Sequence, residues 1–515
     1  MPSESENNKR IAKNTLYLYL RMFITMLVGL YTSRVVLNTL GVSDYGIYNV
    51  MGGIIGMLTY VNTLLSGGTS RFLTMDLGRN DFRSLRQTFS MANTLSFAAM
   101  VIIMLLGETV GLWFMNEKLN VDPNRMEAAN WVYQCALASC ALSVIQTPYT
   151  ASIIAHEKMD IYAYLSLFDV AMKLFIVFML KWFDFDKLKL YALLMFSVNF
   201  LNFIIYRIIC SHKFEECHFS FDFEKTKFKE MMGYSGWNMV GAFSEVLNNY
   251  GLNILLNIFF GTIVNAARGI ALQVSSIVQQ FFSNFLTASR PQIMKYYSQG
   301  NMVGMSNLIC NSSKYGAFLL VCLIVPIFFN IDDFLMIWLG QKPDYTVWFC
   351  RLMLLQALFQ AVDFPIGTGI HAVGRMKLPN ITSAVLYLSV FPLSYLAFKY
   401  GAGPVLGYCI YLVFTPFILL CDLLILRHYS GFCIKDFFKN VLSPLTIVIV
   451  VSSILSYLFV KFVDGDGILL FLIRSGVTGL LTIFTTYFLG MKKKVRKKVI
   501  GAFRSKISRY SQIYE

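Results

Sequence analysis

The chain has 515 residues, 56% of them hydrophobic and 15% aromatic, with only 14% charged. A soluble domain carries about 25% charged residues, so this chain lacks the polar side chains to cover a globular surface of its size, and its apolar excess is expected to face lipid. Disorder, a secreted disulfide scaffold and a soluble enzyme are thereby excluded. The net charge of +15 reads as the basic loops of an all-α polytopic membrane protein, with no nucleic acid as partner.

At roughly 20 residues per crossing, the apolar runs predict 14 transmembrane helices. The first six lie at 14–36, 46–68, 88–107, 129–152, 160–180 and 189–210. The next six lie at 234–259, 267–288, 314–331, 347–369, 380–398 and 404–426, and two more follow at 441–462 and 468–490. Turn chemistry separates them, as at Gly41 to Asp44, Asp122-Pro123, Gly401 to Pro404 and Asp464 to Gly467. A cytoplasmic N-terminus (1–13), a cytoplasmic linker (211–233) and a basic cytoplasmic tail (491–515) complete the chain. With the N-terminus inside, and residues at span ends assigned to the adjacent loop, 30 of the 44 Lys+Arg fall in cytoplasmic segments and 10 in outer ones. This bias predicts that both termini are cytoplasmic. The polybasic run 492–498 fits the same orientation and also suits anionic headgroups.

The ten cysteines lie mostly in apolar runs or cytoplasmic loops and read as buried hydrophobes or reduced thiols. Cys210, His212, Cys217 and His218 cluster, but their spacing departs from the usual zinc pattern. No metal or cofactor is expected. The first apolar run lacks a small-residue cleavage site and is expected to remain as the first span.

An internal repeat is visible. Leu40-Gly41 precedes a span that leads to Arg71 and Gly78, and Phe260-Gly261 precedes a span that leads to Arg290 and Gly300. Two halves of six spans each have the same orientation, related by an axis along the membrane normal, and such halves usually place a substrate between them.

Several local patterns point one way: residues 40–48 (LGVSDYGIY), 155–158 (AHEK), 233–237 (GYSGW), 338–340 (WLG) and 372–377 (AVGRMK). With the span count, the chain resembles the Wzx-type polysaccharide flippases of the multidrug/oligosaccharidyl-lipid/polysaccharide exporter superfamily, over nearly its whole length. The resemblance implies two six-helix lobes, 14–210 and 234–426, around a central cavity, with the last two spans appended within 427–490. It also implies alternating access and a polyprenyl-pyrophosphate-linked oligosaccharide as cargo, moved from the cytoplasmic to the periplasmic leaflet of the cell inner membrane. That places the protein in O-antigen, lipopolysaccharide or related polysaccharide biosynthesis, with a polysaccharide polymerase as a possible partner.

Ionisable residues within spans are costly and are functional candidates. Arg21 lies well inside the first span, where its guanidinium either binds pyrophosphate or is internally paired. Arg34 and Arg268 sit at span ends; each alone reads as a residue reaching the headgroups, and the resemblance places such cations along the cavity. Span 7 carries Glu245, Asn249, Asn253 and Asn257 at intervals of four, a stripe that suits sugar hydroxyls or, alternatively, helix association. Asp169 and Lys173 are four apart and read as a structural pair, with Asp169 kept as an ion-coupling candidate. Glu245 and Asp363 are the other candidates for coupling to protons or sodium, Asp363 beside an expected helix break at Pro365 to Gly369. Gly52, Gly53 and Gly56 suggest close helix packing.

No phosphate-binding Gly-x4-Gly-Lys-Ser/Thr sequence is present, and the five histidines form no cluster, so the chain reads as a transporter and not an enzyme. The alternatives are a drug/cation antiporter of the same superfamily, or a membrane glycosyltransferase, polymerase or ligase of polysaccharide assembly.

Overall fold

The structure is a computed structural model. It describes the backbone of residues 4–217 except 79–80, 157 and 184, then 244 and 246–492 except 288, 376, 464 and 466, and finally 495–496. Side chains are described from Phe23 onward, with further gaps within 60–80, at 159 and within 283–298.

The described residues are helical, with no strand among them. In chain order the helices are α1 (Glu4–Gly78), α2 (Phe82–Leu106), α3 (Leu112–Lys118), α4 (Met126–Ala155), α5 (Met159–Trp182), α6 (Lys187–Lys213), α7 (Val246–Phe260), α8 (Thr262–Thr287) and α9 (Arg290–Ser298). They continue as α10 (Met302–Phe329), α11 (Ile331–Leu339), α12 (Thr346–Val373), α13 (Lys377–Lys399), α14 (Val405–Ser430), α15 (Ile434–Phe437), α16 (Ser443–Phe462) and α17 (Ile468–Thr485). Eleven helical segments among the described residues are long and apolar enough to cross a membrane. Where they are described, the 14 runs read from the sequence fall on helix, the run at 234–259 being described only at 244 and from 246 onward: α1 carries two, α2, α4 to α8 and α10 carry one each, and α12 to α14, α16 and α17 carry the last five. Large apolar side chains such as Phe178, Leu424, Ile454 and Phe484 stand exposed on these helices, as lipid-facing positions require.

Gly41 is where α1 ceases to be one rod. Its φ of 81° and ψ of 167° interrupt the helix between the first two apolar runs. A Cβ there would meet nothing within 4 Å, so the position calls for glycine through its backbone angles alone. Gly261, between α7 and α8, has φ 80°. The two glycines aligned in the repeat thus share a positive φ near 80°.

The chain divides into two compact units. The first comprises Met1–Ile270, Pro343–Thr346 and Asn380–Tyr411; the second comprises Ala271–Lys342, Val347–Pro379 and Leu412–Glu515. This division differs from the lobes at 14–210 and 234–426, since α7 and most of α13 belong to the first unit. In the first unit, α4 packs against α1, α2 and α6 around a core that includes Met51, Met115, Tyr133 and Leu137. Between α2 and α3 a π-turn at Gly107–Gly111 loosens the carbonyl ladder, and the Tyr133 hydroxyl donates to the Gly107 carbonyl at 2.7 Å. In the second unit, α16 and α17 pack on each other and on α10.

Small residues bring α1 against α7 and α8 inside the first unit. A Cβ on Gly46 would strike the Thr262 carbonyl, one on Gly53 the Asn253 amide, and one on Gly56 the Tyr250 ring. These positions share one helix face, as the packing of membrane helices through small residues requires. Gly52 differs: nothing lies within 4 Å of its Cβ position.

Candidate functional site

In the first unit, α7 and α8 present a chain of buried amides and, one turn along α8 from Asn265, a buried cation. Asn265 donates its amide to both the backbone and side-chain oxygens of Asn253, each at 2.8 Å, and accepts from Asn257 at 3.0 Å. Asn257 in turn accepts from the Asn120 backbone N–H at 2.9 Å, and Asn253 donates to the Asn49 carbonyl at 3.3 Å. Asn253, Asn257 and Asn265 are each at most 1% exposed. Along the span 7 stripe, then, Asn253 and Asn257 spend their amides joining helices. Asn249 is half-buried, and its carbonyl accepts from Arg268.

Arg268 is 4% exposed, deeper than a residue reaching for headgroups. Its Nε donates to the Tyr408 hydroxyl at 2.6 Å and its Nη2 to the Asn249 carbonyl at 2.7 Å. Both partners are neutral, and no carboxylate pairs with it among the described residues. Among the described residues, then, the guanidinium is oriented by neutral groups, an arrangement that suits an anion nearby. Arg34 is exposed on α1, seven residues before Gly41. The backbone of Arg21 lies in α1, but its side chain is outside the described residues, and Glu245 lies outside them altogether.

Asp169 is fully engaged. One oxygen accepts from Lys173 Nζ at 2.7 Å and the other from the Asn202 amide at 2.8 Å, a geometry that knits α5 to α6. In the second unit, Asp363 of α12 faces Asp422 of α14 within hydrogen-bonding reach. Asp422 is 8% exposed, and the Oδ1 of Asp363 is buried without a hydrogen-bond partner. The expected helix break beside Asp363 is not formed: α12 runs continuously from Thr346 to Val373 through Pro365. Proline removes one rung of the ladder, and the flanking residues carry the helix past it. Sequence reading missed Asp422 as the partner, because nothing local connects residues 59 apart on two helices.

Two further arrangements were invisible in the sequence. Arg125 bridges Asp44 and Asp186, with its Nε 3.0 Å from one Asp44 oxygen and its Nη1 2.7 Å from Asp186. The hydrogen bond to Asp186 is the main reason the Arg125 guanidinium is raised above its ordinary value. Burial pushes Asp186 upward, but Arg125 and the N–H groups of Lys189 and Leu188 outweigh it and hold the carboxyl below the usual range. Asp44, read in sequence as a turn residue, is one arm of this clamp. Arg474 of α17, 6% exposed, pairs with Asp333 at 3.0 Å and ties α17 to α11.

Of the cysteine and histidine cluster, Cys210, His212 and Cys217 are described and His218 lies outside the described residues, among which no group of His, Cys, Asp and Glu is placed to hold a metal. His156 instead pairs with Glu216 at 2.7 Å and stacks on Phe214, while Cys210 and Cys217 are buried thiols. Hydrogen bonding with Cys210, followed by burial, pushes the Cys217 thiol far up.

No family model matches the sequence, and no curated protein does. Solved structures do. The chain is similar to the lipid II flippase MurJ in an inward closed conformation, with a TM-score of 0.68, 13% identity, and coverage of 92% of this chain and 98% of that one. It is also similar to an inward-facing multidrug resistance MATE family transporter of the MOP superfamily, with a TM-score of 0.59, 13% identity, and coverage of 82% and 99%. A MOP superfamily transporter from Pyrococcus furiosus matches with a TM-score of 0.56, 13% identity, and coverage of 81% and 96%. The chain has the fold of these transporters. At such identities the likeness concerns the fold, and neither substrate nor polysaccharide type follows from it.

Proposed function

We propose that this protein is a flippase of the multidrug/oligosaccharidyl-lipid/polysaccharide type, moving polyprenyl-pyrophosphate-linked oligosaccharide from the cytoplasmic to the periplasmic leaflet of the inner membrane. The observation that carries the reading is coverage. The likeness to a lipid II flippase takes in 92% of this chain, whereas the likeness to the multidrug transporter takes in 82% while covering 99% of that transporter. The additional chain length is thus shared with a transporter of a lipid-linked precursor. The buried Arg268, oriented by neutral groups among the described residues, supports an anionic cargo. In this reading Arg268, with Arg34 and Arg21, draws the pyrophosphate. Both termini are cytoplasmic, opening alternates between the two sides, and membrane lipids and a polysaccharide polymerase are the partners.

The drug/cation antiporter is the second reading, favoured by the facing carboxyls of Asp363 and Asp422. Such a pair suits proton or sodium coupling, which is compatible with either cargo.

Proteoliposomes holding a polyprenyl-pyrophosphate oligosaccharide test the assignment. The protein is expected to raise the fraction of glycan reached by an impermeant glycosidase, and Arg268→Met is expected to reduce that rate at least tenfold. Absence of glycan movement, together with gradient-driven efflux of a cationic dye, would replace the flippase reading with the antiporter.

A further inference from the structure

A second polar region of the first unit lies beside the amide chain, with Tyr250 of its lining within electrostatic reach of Arg268. It is a cavity of about 390 Å³ between α1, α4, α6 and α7, within the range of small-molecule sites, roughly 300–1,000 Å³. Its polar lining is Tyr48, Thr59, Ser139, Ser143, Gln146, Asn199 and Tyr250, with no charged residue among the lining side chains. Thr59, Ser139 and Asn199 sit near the middle of the apolar runs 46–68, 129–152 and 189–210, where polar groups without partners are least tolerated.

Several of them nonetheless lack partners. The Gln146 and Asn199 amides and the Ser139 and Tyr250 hydroxyls make no side-chain hydrogen bond to a described residue. At the cavity wall, Asn62 donates to Ser143 at 2.6 Å, while its Oδ1 is buried with no partner. On α7 and α8, by contrast, Asn253, Asn257 and Asn265 are bonded to one another and to neighbouring segments, although the Asn248 amide is buried with no partner among the described residues. The difference marks the cavity as a place where a ligand, and not a neighbouring helix, completes the hydrogen bonding. Gly52 lines the same space and leaves it open, while its neighbours Gly53 and Gly56 are consumed by packing.

We propose that this cavity is a subsite for a neutral sugar ring. Two amides and two hydroxyls supply donors and acceptors in mixed array, as vicinal hydroxyls demand, and the absence of charge disfavours both phosphate and organic cations. Tyr48 and Tyr250 add aromatic surface for the apolar face of a sugar ring. The inference rests on the lipid-linked oligosaccharide reading and moves the glycan contact from the span 7 stripe to this cavity.

The test uses the purified full chain and three probes: polyprenyl pyrophosphate, the same lipid carrying an N-acetylglucosamine disaccharide, and the free disaccharide. Wild-type protein is expected to bind the glycosylated lipid at least tenfold more tightly than the bare lipid. Gly52→Leu, which fills the cavity without backbone collision, and the Gln146→Leu/Asn199→Leu pair are expected to erase that advantage and leave bare-lipid affinity unchanged. Gly52→Ala, retaining the wild-type unfolding temperature, controls for folding. If the variants keep the tenfold advantage, or the wild type shows none, the subsite is overturned. If the wild type binds neither lipid, the flippase reading falls on its own. The free disaccharide then decides the cavity: a raised unfolding temperature in wild type but not in Gly52→Leu upholds it, and no shift in either overturns it.

Discussion

The joints at Gly41 and Gly261 use the same backbone device, φ near 80° in a single glycine between two helices, yet they are held in different ways. Beyond Gly41, Asp44 is gripped by Arg125, which also reaches Asp186, in a clamp whose members are 16–30% exposed. Around Gly261, Asn257 and Asn265 are fully buried and bonded to each other, to Asn253 and to the Asn120 backbone. Charges near water keep part of their hydration and are weakened by salt, whereas amides inside a helical bundle satisfy one another without a net charge to desolvate. The repeat therefore preserves a conformation and not an interaction.

That contrast can be broken by substitution. The largest effect is expected from Asn265→Leu, which removes three amide bonds from the second joint; at about 0.6 kcal/mol per interhelical bond this costs roughly 2 kcal/mol, read as a lowered unfolding temperature in detergent. Gly41→Ala and Gly261→Ala are expected to cost about 1–2 kcal/mol each, and nearly equally, because both pay the positive-φ penalty and neither position crowds a Cβ. Unequal losses would show that the two joints differ in backbone strain as well as in partners. Arg125→Met should cost about 1 kcal/mol after allowance for solvent screening, and its effect should shrink in high salt.

Acid sharpens the same comparison. Because Asp186 is held below its ordinary value, its contribution is complete above the unfolded-state value near 4 and is lost as pH falls through the lower folded-state value. Stability of the wild type should therefore decline in that acid window more than stability of Arg125→Met. The Asn265→Leu variant should keep the wild-type acid response, since amides do not titrate there. The smallest effect is expected from Lys173→Met, under 1 kcal/mol, because Asn202 continues to serve Asp169 and the Lys173 side chain is 39% exposed.

Legibility in the sequence followed the range of the interaction. Where described, the apolar runs are helix, because crossing a bilayer demands about 20 apolar residues with their backbone bonds closed internally, a requirement met within one segment. The Asp169–Lys173 pair was readable for the same reason, being one helical turn apart. Gly41 and Gly261 announced themselves by position. The polar stripe of α7 was also legible as a stripe, but its purpose was not: whether an asparagine faces a ligand or another helix depends on Asn265 and Asn49, which lie on other segments.

What the sequence determined by itself is thus the membrane class, the place of every span and the two glycine joints, since these rest on composition, period and local backbone freedom. The tertiary structure alone decided which polar groups are spent and which are left open. It paired Arg125 with two distant aspartates, set Asp363 against Asp422, drew Arg268 into neutral company and left Gln146 and Asn199 facing a cavity. Those outcomes depend on contacts between residues tens to hundreds of positions apart, fixed only when the helices pack and the small residues of α1 let them approach.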